Sequence, residues 1–298
     1  MTDLVNSVNP GSDTSPLEGR PARWRSNGSL LLGLSILAIV VAMAIFAPLL
    51  APYDPYAQSL PNRFTPPVWL PGGGWDHILG TDQLGRDYLS RIIYGSRISL
   101  SIGIGTALVS GLIGSTLGIC AGYFGGRIDS VIMFVVTARL ALPVVLVALA
   151  IVAIFGSSFT VVLLTLGGLL WERFALVTRA ATIQLRGADF VTAAEIQGAT
   201  VPQVMLHQLI PNLANAIVVV ATLEMAQAMI LEAALSFLGL GVPAPMPSWG
   251  LMIAEGKAQI LFEPWLITIP GAFLFALVLA TNLLGDGLRD VLAPESRN

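Results

Sequence analysis

The sequence predicts an all-α polytopic membrane protein with six transmembrane helices, and three observations predict it. Only 11% of the 298 residues are charged, against roughly 25% in a soluble domain, while 55% are hydrophobic. Residues 29 to 50 pass without a single charge, and an apolar stretch longer than about 18 residues is the mark of a membrane span. The other apolar blocks are separated by segments rich in Gly, Pro and Arg, so the chain alternates between spans and loops.

The elements follow in order. Residues 1–28 are rich in Ser, Pro, Gly and Asn and read as a disordered tail. The first span, 29–51, exceeds the roughly 7–15 residue core of a signal peptide and lacks a clear cleavage site, so it reads as retained. A long loop over 52–97 follows, with Pro61, Pro66, Pro67, Pro71 and the run Gly72-Gly73-Gly74. The transmembrane domain proper covers 98–290. Its spans are expected at about 98–122, 130–154, 160–178, 213–238 and 265–285. Gly125-Gly126-Arg127 makes the first turn and Gly156-Ser157-Ser158 a tight hairpin. The fourth span closes on Arg173 and Arg179. A polar segment over 180–211 and a Gly/Pro-rich loop over 239–264 flank the fifth span, and a short tail over 291–298 ends the chain.

Positive charge near span ends orients membrane proteins, with the excess facing the cytoplasm. With the N-terminus inside, inner segments hold Arg20, Arg23, Arg25, Arg127, Arg173, Arg179, Arg186, Arg289 and Arg297. Outer segments hold Arg63, Arg86, Arg91, Arg97 and Lys257. Both termini are therefore expected in the cytoplasm, together with segment 180–211.

Composition also excludes classes. The net charge is −3 and there is one lysine, so no basic patch speaks for nucleic acid. Cys120 is the single cysteine and lies in an apolar run, which excludes an internal disulfide and suggests a small core residue. His77 and His207 fall on opposite sides of the membrane, which argues against a shared metal site. The sole lysine, Lys257, sits in Glu255-Gly256-Lys257-Ala258 and does not meet the phosphate-loop pattern. No cofactor is expected in this chain, and any ATP and magnesium must be held by partner chains.

Segment 180–211 is the most informative stretch, because a connection of about thirty residues bearing polar groups between spans implies something outside the membrane that grips it. It reads as two short helices meeting at an angle. Asp189 is placed to cap the first, and Thr192…Glu195 forms a second capping pattern. Gly198 ends that helix in a left-handed conformation. Thr200 caps the next, with Pro202 in its first turn and Gln203 completing a box. Pro211 disfavours helical geometry at Ile210 and is expected to bend the chain as it enters the fifth span.

These residues resemble the integral membrane subunits of binding-protein-dependent ABC importers. That family's cytoplasmic loop reads Glu-Ala-Ala, three residues, Gly, nine residues, Ile-x-Leu-Pro. Ala193, Ala194, Gly198 and Pro211 match, Thr192 stands at the Glu, Gln208 at the Ile, and Ile210 replaces the Leu. Glu195 is a candidate to supply the missing acid. Further blocks are similar to the dipeptide/oligopeptide/nickel branch, specifically its second permease subunit: His77 to Asp87, Leu89 to Leu100, Ala121 to Gly126, Leu235 to Gly241, Pro247 to Gly250 and Asn282 to Asp290.

The resemblance implies a type I importer permease fold that acts without enzymatic chemistry of its own. Its implied partners are a homologous permease, two ABC ATPase subunits, an extracytoplasmic substrate-binding protein and a peptide substrate. Closure of the ATPases would push on 187–211 and rotate the spans from inward- to outward-facing.

Glu224 and Glu232 stand within the fifth span with no cation beside them in sequence. Ionisable groups at that depth cost about 2.5–3.5 kcal/mol on insertion scales, so they face a partner or a wet cavity. One reading pairs them structurally, with Arg139 as the candidate cation. The sharper reading places Glu224, Gln227 and Glu232 on the translocation path, where Glu224 and Gln227 attract a peptide's ammonium end. Asp82, Arg86 and Asp87 read mainly as pairing or capping groups, and Trp249 as part of an outer gate, a binding-protein contact or an interfacial anchor. Nickel uptake is the alternative within the branch. A proton-coupled secondary transporter working through Glu224 or Glu232 and a structural scaffold are the alternatives outside it.

Overall fold

The computed structural model describes residues 28–292; the expected tails over 1–28 and 291–298 lie outside the described residues except for Gly28, Val291 and Leu292, which are helical. Helix α1 (Gly28–Ile45) continues after a kink into the short α2 (Ala47–Leu50). An extended loop then leads to α3 (Tyr88–Phe124), followed by α4 (Gly126–Leu140), α5 (Val144–Phe155), α6 (Phe159–Leu169) and α7 (Glu172–Arg186). Helix α8 (Asp189–Ile196) and the single turn α9 (Val201–Gln203) come next. The chain then passes through a π-turn at Val204–Leu209 into α10 (Ile210–Phe237). Helices α11 (Trp249–Gly256) and α12 (Trp265–Leu292) complete the described residues.

Among the described residues five helical segments are long and apolar enough to cross a membrane, and α4 and α5, bent by 85° at their break, make a sixth if the pair is one broken span. That bend corrects the expectation of one straight third span over 130–154. Pro143 has no N–H to donate and disfavours the helical region at the residue before it; here the helix stops at Leu140 and restarts at Val144. The second span begins at Tyr88 rather than 98. The Asp87 carboxylate accepts the Ser90 N–H at 2.8 Å and caps the helix there. Polar residues hid this start, because Ser90, Arg91, Ser96 and Ser99 are all buried against other parts of the chain. The fourth span runs on to Arg186 across a break at residues 170–171, which puts Arg173 in the first turn of α7, near the middle of the span rather than at its end.

Small residues let the helices approach. Along α3, Gly114, Gly118 and Gly122 repeat every fourth position and face α7. In lipid, where apolar surfaces gain little from meeting each other, this spacing brings backbones into contact. Gly33 does the same for α1, where an added Cβ would lie 2.8 Å from the Ala280 carbonyl oxygen of α12. Helix α10 sits between α3, α7 and α12, and α11 rests on α10 and α12.

The bundle has two distinct ends. One carries the 52–87 loop, the α5–α6 turn and α11. The other carries the α3–α4 turn, α8, α9 and the π-turn. Leu30 packs on Gly287, so the first and last described residues share the α8 end. Cys120, expected as a small core residue, is half-buried on α3.

Candidate functional site

Helix α8 is attached to the bundle by Val191, which is fully buried in a cluster with Ile119, Tyr123, Val204, Leu209 and Leu213. Val204 and Leu209 are buried with it, and most of the remaining segment is exposed. Ile196 is 81% exposed and Leu206 59%, with Phe190 and Val201 also open. A cluster of exposed apolar side chains on a polar connecting segment marks a contact surface for another protein.

Local geometry departs from the sequence reading in three places. Asp189 does not cap α8: Ala188 is the N-cap, and Asp189 is the first helical residue. Its charge still suits the positive end of the helix dipole. Thr192 and Glu195 form no capping pair either, since Thr192 lies inside α8 and its hydroxyl turns back to the Ala188 carbonyl at 3.4 Å. Pro211 does not bend the chain at Ile210, which is helical at φ −56° and ψ −46°. The π-turn explains why. Its wider ring lets Ile210 N–H donate to the Met205 oxygen, and the helix continues from Val201 to Phe237 past a residue that has no N–H.

Other features follow the sequence reading. Gly198 takes φ +88° and closes α8, with Ala199 N–H donating to the Ala194 oxygen at 3.0 Å. Thr200 caps the next turn, and Gln203 Oε1 accepts its backbone N–H at 2.8 Å. Ala193 is exposed and Ala194 half-buried on the outward side of α8. Glu195 is exposed as well, and its Oε1 accepts a hydrogen bond from the Tyr123 hydroxyl at 2.8 Å. The Arg186 guanidinium lies over the same tyrosine ring, 5.6 Å from its centroid. The inner ends of α3 and α7 therefore meet α8 at one point. Tyr123 lay within the Ala121–Gly126 block, but nothing in the sequence marked it as the partner of Glu195.

A second group of charges lies near the middle of the bundle. Arg173 Nη1 pairs with Glu224 Oε1 at 2.8 Å, so Glu224 does have a cation. It is not Arg139, which sits 3.8 Å from Glu172 and donates to the Leu169 carbonyl. Residue 173 is 14 positions along from Phe159, and residue 224 is 13 positions back from Phe237. At about 1.5 Å per residue both lie ~20 Å from the α11 end, close to the middle of a hydrocarbon core about 30 Å thick. Gln227 is half-buried one turn further along α10. Glu232 is 1% exposed and accepts hydrogen bonds from Ser236 at 2.8 Å and Ser248 at 2.9 Å. In this conformation it ties α10 to the start of α11 and touches no open surface.

At the α11 end, Asp82, Arg86, Arg91 and Glu255 form a buried ion cluster. Arg86 Nε meets Asp82 at 2.6 Å, Arg91 Nη1 meets Glu255 at 2.7 Å, and Arg91 also bonds Asp82. His77 pairs with Asp87 at 2.8 Å. Trp249 is neither a gate nor an interfacial anchor: it is fully buried, with its indole N–H on the Ile92 carbonyl at 3.0 Å. Gly95 makes room for it, since an added Cβ there would lie 2.9 Å from the indole ring. The Gly/Pro composition of its loop gave no sign that the residue folds back on α3.

Comparison with known proteins agrees with this architecture. Residues 114–298 match the model of the binding-protein-dependent transport system inner membrane component. Residues 21–67 match the N-terminal transmembrane domain of oligopeptide transport permease C. The chain is 40% identical to the di/tripeptide transport system permease protein DppC of Pseudomonas aeruginosa, over 97% of each chain. It is 37% identical to the dipeptide transport system permease protein DppC of Haemophilus influenzae, over 94% of this chain and 95% of the relative. The oligopeptide transport system permease protein OppC of Bacillus subtilis is 36% identical over 92% of this chain and 88% of its own length. Among solved structures, an inward-facing form of the MetNI methionine ABC transporter shares the fold with a TM-score of 0.55. It has 16% identity and covers 67% of this chain and 96% of that one. With a transporter-family match over more than half its length and relatives this similar end to end, the chain belongs to the binding-protein-dependent transport system inner membrane components.

Proposed function

We propose that this chain is the permease subunit of an ATP-driven importer that passes di- and oligopeptides across the cytoplasmic membrane. The peptide substrate is taken from the names of the relatives, which are similar along nearly their whole lengths. In this reading the α8 end, with both chain termini, faces the cytoplasm, and the chain itself hydrolyses nothing. Two ABC ATPase subunits bind ATP and magnesium, a homologous permease completes the pore, and an extracytoplasmic binding protein delivers peptide at the α11 end.

The observation that carries the proposal is the exposed apolar face of α8 and the π-turn, mounted on a buried anchor. Ile196 and Leu206 would seat in the ATPase surface, while Val191 and the Glu195–Tyr123 bond pass displacement to α3 and α10. Asp189, Thr192, Ala193, Ala194, Gly198 and Pro211 shape this element, and Glu195 ties it to α3 through Tyr123. Glu224 with Arg173, and Gln227 beside them, are assigned to the translocation path.

Substituting Ile196→Asp tests the docking surface. A charge placed at a closed protein contact costs several kcal/mol, so binding-protein-dependent uptake should fall by about tenfold or more. ATP hydrolysis by the assembled complex should no longer respond to loaded binding protein. Glu195→Ala should lower coupled uptake less, because its bond lies within this chain. Full coupling in the Ile196 variant would remove the docking role. Uptake should stop on ATP depletion and persist with an uncoupler, and the reverse would replace the importer with a proton-driven carrier.

A further inference from the structure

Arg173 is 53% exposed in its side chain, whereas its partner Glu224 is 3% exposed. Both sit at mid-depth in the bundle, by the helix rise given above. A guanidinium open at that depth cannot rest against hydrocarbon, where it would cost about 2.5–3.5 kcal/mol or more. It must face water or a negative group. With the pair ~20 Å from the α11 end of a core about 30 Å thick, the headgroup phosphates on the other side lie about 10 Å further on, and the 2.8 Å ion pair holds the guanidinium at the level of Glu224.

The charges around it sum to zero. Arg139 stands with Glu172 at 3.8 Å and Arg173 with Glu224 at 2.8 Å. Of the four, Arg173 is the one more than half open, the other side chains being 14% exposed or less. Arginine carries five N–H donors, and among the described residues Arg173 has one ionic contact, to Glu224. Most of its donors are therefore turned outward while Glu224 holds the group in place.

From this geometry we infer that Arg173 is a binding residue of the translocation path for the free α-carboxylate of a passing peptide. The inference rests on the peptide reading above. It reverses the polarity read from sequence, in which Glu224 attracts the ammonium end: Glu224 is buried behind the cation and positions it. The chemistry suits a carrier of varied sequences, because every unmodified peptide ends in a carboxylate, and the guanidinium fork accepts that planar anion through two parallel hydrogen bonds.

The test uses the assembled transporter in proteoliposomes with its binding protein saturated. ATP-dependent uptake of a dipeptide is compared with uptake of its C-terminal amide, for the native protein and for Arg173→Gln and Arg173→Lys. Selection by the binding protein is common to all three and cancels in the ratio. Losing a charge-assisted hydrogen bond should cut the preference for the free acid by about tenfold in Arg173→Gln, with partial retention in Arg173→Lys. An unchanged preference in Arg173→Gln overturns the site, as would an acidic side chain of the companion permease found pairing with Arg173. Native transporter that accumulates neither compound overturns the peptide reading and the site together.

A second measurement leaves Arg173 intact. Leu176 lies one turn along α7 and is 38% exposed. In a Cys120→Ser background, Leu176→Cys should react faster with an anionic than with a cationic thiosulfonate, and dipeptide should protect it. Failure of both reagents to react overturns the site, because that face is then sealed.

Discussion

Arg91→Ala is expected to cost about 3–5 kcal/mol, the penalty for stranding buried carboxylates without their cation. Arg91 is fully buried and its Nη1 bridges Asp82 of the 52–87 loop and Glu255 of α11. After its removal Arg86 alone would serve both acids, and its reach to Glu255 is already 3.3 Å. The cluster joins parts of the chain more than 160 positions apart, so its loss should free the loop and α11 together. The measurements are thermal unfolding of the detergent-solubilised assembly and limited proteolysis within 52–87. Arg91→Lys should lie between, since it keeps the charge but puts a compact, more strongly hydrated ammonium in the buried place of the guanidinium. A melting temperature unchanged by Arg91→Ala would mean that water reaches Asp82 and Glu255, contrary to their burial. Transport should fall with stability, because α11 packs directly on α10 and α12.

The class and order of the helices were legible in the sequence because lipid imposes one rule: backbone polar groups must be satisfied within each span. Long apolar runs are therefore helices, and the fold followed from counting them. What escaped depended on long-range partners. Arg91 and Ser90 looked like loop residues because their charge and hydroxyl are satisfied only by Asp82, Asp87 and Glu255. Arg173 looked interfacial for the same reason, and its partner Glu224 lies 51 positions away (224−173). Only the apolar residues continuing beyond Arg173, from Phe174 to Val177, hinted that the span had not ended. At the coupling loop, Gly198 and Thr200 could be placed correctly because a left-handed glycine and a threonine cap are local physics. Pro211 could not, since the π-turn that accommodates it is a property of the whole Val201–Phe237 helix.

The α3–α7 seam makes the second large prediction, which concerns how force would cross the protein. At Gly118 an added Cβ would stand 2.1 Å from Thr178 Oγ1 and 2.4 Å from the Ala175 carbonyl oxygen. Backbone of α7 forms part of that obstruction, so no rotamer change relieves it, and the helices must separate. Overpacking of a tight core costs about 1–3 kcal/mol and more where backbone has to move. Gly118→Val should therefore abolish the folded permease, and Gly118→Ala should lower its melting temperature. Gly105, also on α3, and Gly168 on α6 serve as controls. Gly105→Ala meets only the flexible end of Leu163 at 2.6 Å and should be mild. Gly168→Ala meets nothing within 4 Å and should be neutral or stabilising by up to about 1 kcal/mol from helix propensity. If all three alanine variants melted alike, the seam would not be close-packed. If Gly118→Ala folds, its binding-protein-stimulated ATP hydrolysis should be weakened as well, because α8 is anchored on the inner end of α3 through Val191 and Tyr123 and joins directly onto α7. A displacement applied to α8 reaches the mid-membrane charges on α7 and α10 as rigid-body motion only while α3 and α7 stay locked.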